Sequence, residues 1–290
     1  MDSITTEQVY IKLSPNFDTL VIAGGSVKGI ASLGTLQYAY DNFLLKNIKN
    51  YIGTSSGAIC CYLLAIGYTP IEIMVYICSH QLLEKMQYFN IVAMMNGTGA
   101  SSFAILQEHL EKMTIEKIGK LVTLKDIKDQ FGKILICVSH NLTKSKTEYL
   151  GPDNYPDMPA IIALRMTSNL PLIFDHFKYD GSFWLDGGVS NNFPINRADE
   201  IGEKILGIIV DPEHEKFEDV DINILEYIYK LMFIPISQHT EHIIENASNK
   251  CTIIRLSFSK IKFFNFSINS TDKLEMFSAG YQKAKEHFEK

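Results

Sequence analysis

Residues 51–66, YIGTSSGAICCYLLAI, decide how this chain is read. Tyr51-Ile52 is a brief apolar strand, and residues 57–66 predict a helix. Between them Gly53-Thr54-Ser55-Ser56-Gly57 forms a G-x-S-x-G pattern where a strand turns sharply into a helix. Such a turn holds its serine in a strained backbone geometry, with the hydroxyl exposed at the end of the strand. The helix N-terminus then favours developing negative charge beside it. Glycine and serine also occur in turns that do no chemistry, so the pattern gains meaning only from its company.

Working outward, residues 18–23 (DTLVIA) read as a buried strand that stops at Gly24-Gly25. Residues 28–45 carry Ile30, Leu33, Leu36, Tyr40, Phe43 and Leu44 at helical spacing. Helices are expected at 70–86 and 102–119, and a strand at 133–139 (KILICVS). Residues 143–159, with three prolines, read as a polar surface excursion. A helix at 159–168, short strands at 176–179 and 183–185, a helix at 195–201 and a strand at 204–210 follow, then mostly helix. Alternating strands and helices predict an α/β chain, a three-layer α/β/α sandwich around a mostly parallel sheet. No internal repeat or linker divides it, so residues 1–290 are expected to form a single domain.

The composition narrows the function. With 290 residues, 46% hydrophobic and 21% charged, the chain can bury a core without metals or disulfides. A net charge of −6, with Arg165, Arg197 and Arg255 the only arginines, argues against nucleic acid as a partner. Cys60, Cys61, Cys78, Cys137 and Cys251 include no CxxC pair, so reduced thiols are expected rather than a zinc site or disulfide framework. No signal peptide and no apolar stretch long enough to span a bilayer is recognisable, which predicts an intracellular, cytoplasmic protein, peripheral on membranes at most.

Two further segments bear on Ser55. Gly24-Gly25-Ser26-Val27-Lys28-Gly29 lies between the first strand and the first helix, where small residues leave backbone N–H groups free to converge on an anion. It matches neither phosphate-binding glycine spacing, so an oxyanion hole and a ligand-free turn are the competing readings. Asp186-Gly187-Gly188 follows a short strand, where a carboxylate could accept a serine proton directly. Alone, Asp-Gly-Gly is more often a turn.

Taken in order, these three segments resemble the patatin-like phospholipase family. The glycine-rich loop is similar to its G-G-G-x-[RK]-G, the Ser55 segment to its G-x-S-x-G followed by a small residue (Ala58), and Asp186 to its D-G-[GA]. Ala163-Leu164-Arg165-Met166-Thr167-Ser168 with Leu170-Pro171 and Phe174, and DGGVSNNFP from Asp186 to Pro194, resemble the family's flanking stretches. The resemblance covers roughly residues 18–210. It implies a Ser–Asp dyad acting on acyl esters of phospholipids or neutral lipids, with no metal and no other cofactor. By position, Ser55 would be the nucleophile, Asp186 the general base, and the amides of Gly24, Gly25 and Ser26 the oxyanion hole. Lys28 matches the basic position that braces the loop, and Gly29, Gly53, Gly57, Gly187 and Gly188 complete the motifs. Ser26 departs from the pattern, which has a third glycine there; a positive φ at that position would strain it.

Two other classes compete. A Ser-His-Asp carboxylesterase would combine Ser55 with Asp186 or Asp211 and with His214, His239 or His242, but its nucleophile would come unusually early. His239 and His242 would share one helix face and read as solvated. A catalytically weak lipid-binding protein on the same fold would be expected to have lost Ser55, Asp186 or the glycines. A lipid substrate implies transient contact with a membrane surface. Residues 86–95 as a lid, 222–236 and 260–268 are the apolar candidates for it. Core packing is the plainer role for each.

Overall fold

The computed structural model of the chain describes residues 16–85, 101–211, 224–257 and 268–290. Among them one sheet holds β1 (Thr19–Ile22), β2 (Asn50–Thr54), β3 (Ile134–Asn141), β4 (Lys146–Leu150), β5 (Phe177–Tyr179), β6 (Ser182–Asp186), β7 (Ile205–Asp211) and β8 (Cys251–Ser257). Five strands run parallel in the order β3-β2-β1-β7-β8. Around them lie α1 (Gly29–Asp41), α2 (Ser56–Ala65), α3 (Pro70–Ser79), α4 (Leu82–Lys85), α5 (Ala104–Ile118), α6 (Leu124–Phe131), α7 (Ala160–Thr167), α8 (Ile195–Ile201), α9 (Ile224–Glu245) and α10 (Ser270–Phe288).

The strand sequences explain the layers. Side chains alternate faces along a strand, and the central strands are apolar at successive positions, so both faces must be covered. Leu20, Ile22, Leu135, Leu206 and Ile208 point into one core, which packs with α1, α2, α3, α5 and α10. Val21, Ile52, Ile136, Ile205 and Ile209 point into the other, with Ile195 and Ala198 of α8 and Ile243 of α9. This is the three-layer α/β/α arrangement that the alternation of elements predicts.

The antiparallel part is what builds the site. β3 pairs with β2 through Val138, opposite Thr54, and then with β6 from Ser139, opposite Asp186. Cys137–Asn141 pairs along its whole length with β4, so β2 and β6 share the other edge, end to end. Adjacent residues of β3 therefore bring together the ends of two strands far apart in sequence.

Two expectations are corrected, and the region after β7, mostly helical as expected, gains a strand. Residues 143–159 contain a strand, β4, whose Glu148 is buried and held by Lys146 at 2.9 Å. The region after β7 also contains a strand, β8, in which Arg255 faces Asp211 (2.8 Å) and Glu241 (2.5 Å). The helix expected over 70–86 breaks at His80-Gln81, where Gln81 has φ 49°, into α3 and α4. The short α4 is tied to α10 by fully buried Lys273, whose Nζ lies 2.6 Å from Glu84. The five cysteines are free thiols, and burial pushes that of Cys60 up to about 12.

Candidate active site

Ser55 sits between β2 and α2 with φ 53° and ψ −127°, a conformation L-residues rarely adopt. The turn is held by backbone crowding that only glycine permits. A Cβ on Gly57 would lie 2.3 Å from the Ile22 carbonyl oxygen, and one on Gly53 2.5 Å from the Ala58 nitrogen. Ser55 N–H donates to Thr167 Oγ1 at 3.0 Å, and Thr167 in turn donates to the Val138 carbonyl. The side chain thus stands at the N-terminus of α2, nearly buried at 8% exposure.

Asp186 ends β6 and is buried. Its N–H donates to Asn169 O at 2.8 Å, and its Oδ1 accepts from Gly188 N–H at 2.7 Å. Oδ2 is buried and accepts no hydrogen bond of normal geometry. Burial pushes the carboxyl up to about 7, against the opposing pull of the Ser55 hydroxyl and the Gly188 amide. The Ser55 hydroxyl is thus the side-chain group that acts on this carboxyl.

A network unassigned in the sequence reading sets the position of Asp186. Asn169 accepts from Arg165 Nη1 at 2.6 Å and donates to Trp184 O at 2.6 Å. Arg165 is buried and also reaches Asp175 at 3.0 Å, with its guanidinium 4.6 Å from the Phe103 ring centre. Burial holds this guanidinium down to about 10, with Asp175 opposing the shift. Arg165 and Thr167 lie in the quoted 163–168 segment, but nothing in that segment says that one supports the aspartate strand and the other the serine turn.

The glycine-rich loop approaches from β1. Gly24 N–H donates to Asn192 O at 3.1 Å, and Asn192 Nδ2 returns a bond to Gly24 O at 3.0 Å. Gly25 N–H donates to Ser56 Oγ at 3.1 Å. Ser26 opens a short 3-10 turn with φ 48°, so the serine that replaces the expected glycine stands in the left-handed region. Ser26→Gly is expected to raise stability by about 0.5–1 kcal/mol by relieving this backbone. A higher urea midpoint would show it, and an unchanged or lower one would mean that serine has no strain to relieve there. Lys28 is buried beside the loop.

Ser55, Asp186, Gly24, Gly25 and Ser26 share a small cavity of about 30 Å³, which Met232, Phe233 and Ile236 of α9 close on the other side. No histidine lines it among the described residues. His239 and His242 are exposed on α9, and His214 lies outside the described residues, as do 86–95 and nearly all of 260–268. No single helix among the described residues is long and apolar enough to cross a membrane.

A parallel-centred α/β/α sandwich with a serine on a strained strand–helix turn, beside an aspartate that ends a neighbouring strand, defines the class of molecule. The sequence pattern of the patatin-like phospholipase family matches residues 20–199, and the chain belongs to that family. It is 36% identical to probable lipid hydrolase 463L of Invertebrate iridescent virus 6 over 63% of each chain. It is 26% identical to uncharacterized protein R571 of Acanthamoeba polyphaga mimivirus over 92% of each. Among solved structures, VipD from Legionella pneumophila superposes with a TM-score of 0.57 at 15% identity, over 95% of this chain and 67% of that one.

Proposed function

We propose that this chain is a lipid acyl hydrolase of phospholipase A type, cleaving fatty-acyl esters of phospholipids through Ser55 and Asp186. The observation that carries the reading is the register on β3, where Thr54 and Asp186 face neighbouring residues and the Ser55 hydroxyl meets a buried carboxylate. The name of the iridovirus relative, a probable lipid hydrolase, points the same way.

In this mechanism the Ser55 proton passes to Asp186 as Oγ attacks the acyl carbonyl. The oxyanion is received by backbone amides of the glycine-rich loop, aided by the N-terminus of α2. Gly25 and Ser26 are the natural donors. The Ser56 hydroxyl can rotate away from Gly25, and N–H groups that open a helical turn have no partner within it. Gly24 would join them only by leaving the Asn192 carbonyl, so its first role is to seat the loop. Protonated Asp186 then gives its proton to the leaving alcohol, and in the second half it activates the water that releases the fatty acid.

A second cavity of about 130 Å³ opens from Ser26 and Ser55 and is walled by apolar side chains of α1, α2, α3 and α5. Its walls suit an acyl chain attached to a carbonyl at Ser55. On α9, Tyr227, Leu231 and Ile234 are exposed at helical spacing, while Met232, Phe233 and Ile236 face the cleft. We assign transient membrane contact to this outer face. The test of the function is hydrolysis of a short-chain ester and of phospholipid vesicles without added calcium, comparing the parent with Ser55→Ala. Activity is expected to vanish with Ser55, and retained activity in the variant would refute the nucleophile.

A further inference from the structure

The apolar cavity has a direction. Ser55 at the N-terminus of α2 and Ile59 and Leu63 on it line the cavity four residues apart, so it runs along that helix away from the nucleophile. The orientation of α5 agrees. Phe103, beside its first turn, packs on Phe174 with ring centres 5.4 Å apart and under Arg165, next to the catalytic strands. Its last turns lie instead beside the far end of α2: Tyr62 Oη is 2.7 Å from Thr114 Oγ1, and Tyr68 Oη donates to Met113 O at 2.9 Å. Leu63 and Met113, which line the cavity with Ile73 of α3, therefore lie toward its distal end, near the Tyr62 and Tyr68 hydrogen bonds. Tyr76 Oη and His109 Nδ1, 2.9 Å apart, join α3 to α5 in the cavity wall.

We infer that Leu63, Ile73 and Met113 form the floor of the acyl channel and set an upper limit on chain length, selecting medium-chain acyl groups. The inference rests on the acyl-hydrolase reading for its ligand. Eight residues separate Leu63 from Ser55, which at 1.5 Å per residue is about 12 Å along α2. Carbon–carbon bonds of about 1.5 Å, each advancing an extended chain by a little over 1 Å, fill that length with roughly ten carbons. The walls themselves are buried core side chains such as Leu33, Leu63 and Met113, so a longer chain can extend only by displacing packed residues.

The test uses the Ser55→Ala protein, so that binding is read without turnover. Displacement of a dansyl-labelled fatty acid is followed with saturated fatty acids from hexanoate to hexadecanoate. Affinity should tighten about fourfold per added methylene, as burial of each CH2 implies, and should level off near decanoate. Adding Met113→Ala should move the plateau outward by about two carbons, because it removes floor side chain while keeping the carbonyl that Tyr68 binds. Adding Ile59→Phe, in the middle of the channel, should move it inward, so a failure of either variant to fold leaves the other to decide. Tightening that continues to hexadecanoate, no displacement at all, or a plateau unmoved by the folded variants would overturn the inference. The vesicle assay judges the nucleophile separately: loss of hydrolysis in Ser55→Ala alongside an unmoved plateau would leave the hydrolase reading standing and remove the channel floor.

Discussion

Asp186→Asn is expected to lower kcat/KM for ester hydrolysis by about 10²–10⁴-fold, the usual range for loss of a positioned base, while the protein stays folded. Asparagine keeps the shape and the acceptor that Gly188 N–H uses, but it cannot take the Ser55 proton. The parent enzyme supplies an independent check. A carboxyl pushed up to about 7 must be ionised to act, so kcat/KM should rise with pH through that value and then level off. An asparagine variant with parental activity, or a parent profile flat from pH 5 to 9, would remove Asp186 from the mechanism.

The same carboxyl links activity to stability with a definite sign. Its folded pKa lies above the ordinary value of 3.8, so between about pH 4 and pH 7 the folded chain holds a proton that the unfolded chain releases. Stability contributed at low pH is therefore lost as pH rises through that window, and above it a constant penalty remains. At about 1.4 kcal/mol per pKa unit, the penalty is on the order of 4 kcal/mol for this buried group. Asp186→Asn should accordingly raise Tm near pH 8 and change it little near pH 4. A buried base that costs stability when ionised fits the proposed role of Asp186, since functional sites are where burial and a specific partner shift pKa values.

How much of this was legible in the sequence follows from the range of each interaction. The serine turn and the Asp-Gly-Gly turn are local, so their glycines mark them at fixed spacing. Their meeting is not local: it depends on Val138 and Ser139 pairing in succession with Thr54 and Asp186, and no spacing encodes a register. The strand β4 was hidden because Lys146 and Glu148 look like loop residues until the buried carboxylate finds its lysine. The strand β8 was hidden by Arg255, which is tolerable in a strand because Asp211 and Glu241 flank it. Gln81, with its positive φ, gave no sign that the predicted helix would break there. Ser26 ran the other way. Sequence reasoning identified it as the residue that positive φ would strain, and its φ is 48°.

The largest destabilisation is expected where helices α1 and α10 touch. A Cβ on Gly280 would lie 1.9 Å from the Ala31 carbonyl oxygen, and one on Gly34 1.8 Å from that of Phe277. Both obstacles are backbone, so no rotamer change relieves them and the helices must move apart. Helix propensity alone would favour alanine over glycine by about 1 kcal/mol at each position. Overpacking costs typically about 1–3 kcal/mol, and separating the helices would also strip burial from Tyr38 and Phe288, which stack 6.0 Å apart across the contact. Thr35 Oγ1, which donates to Gly280 O at 3.0 Å, would lose its partner as well. Packing therefore outweighs propensity, and Gly280→Ala should destabilise by about 3 kcal/mol, read as a lower urea midpoint. The two substitutions should not add. Once the helices have separated for the first Cβ, much of the space for the second is already open, so Gly34→Ala/Gly280→Ala should cost clearly less than the sum of the single changes. Additive costs would mean that the contacts yield independently, and a stabilised single variant would mean that α10 is not held against α1 at this distance.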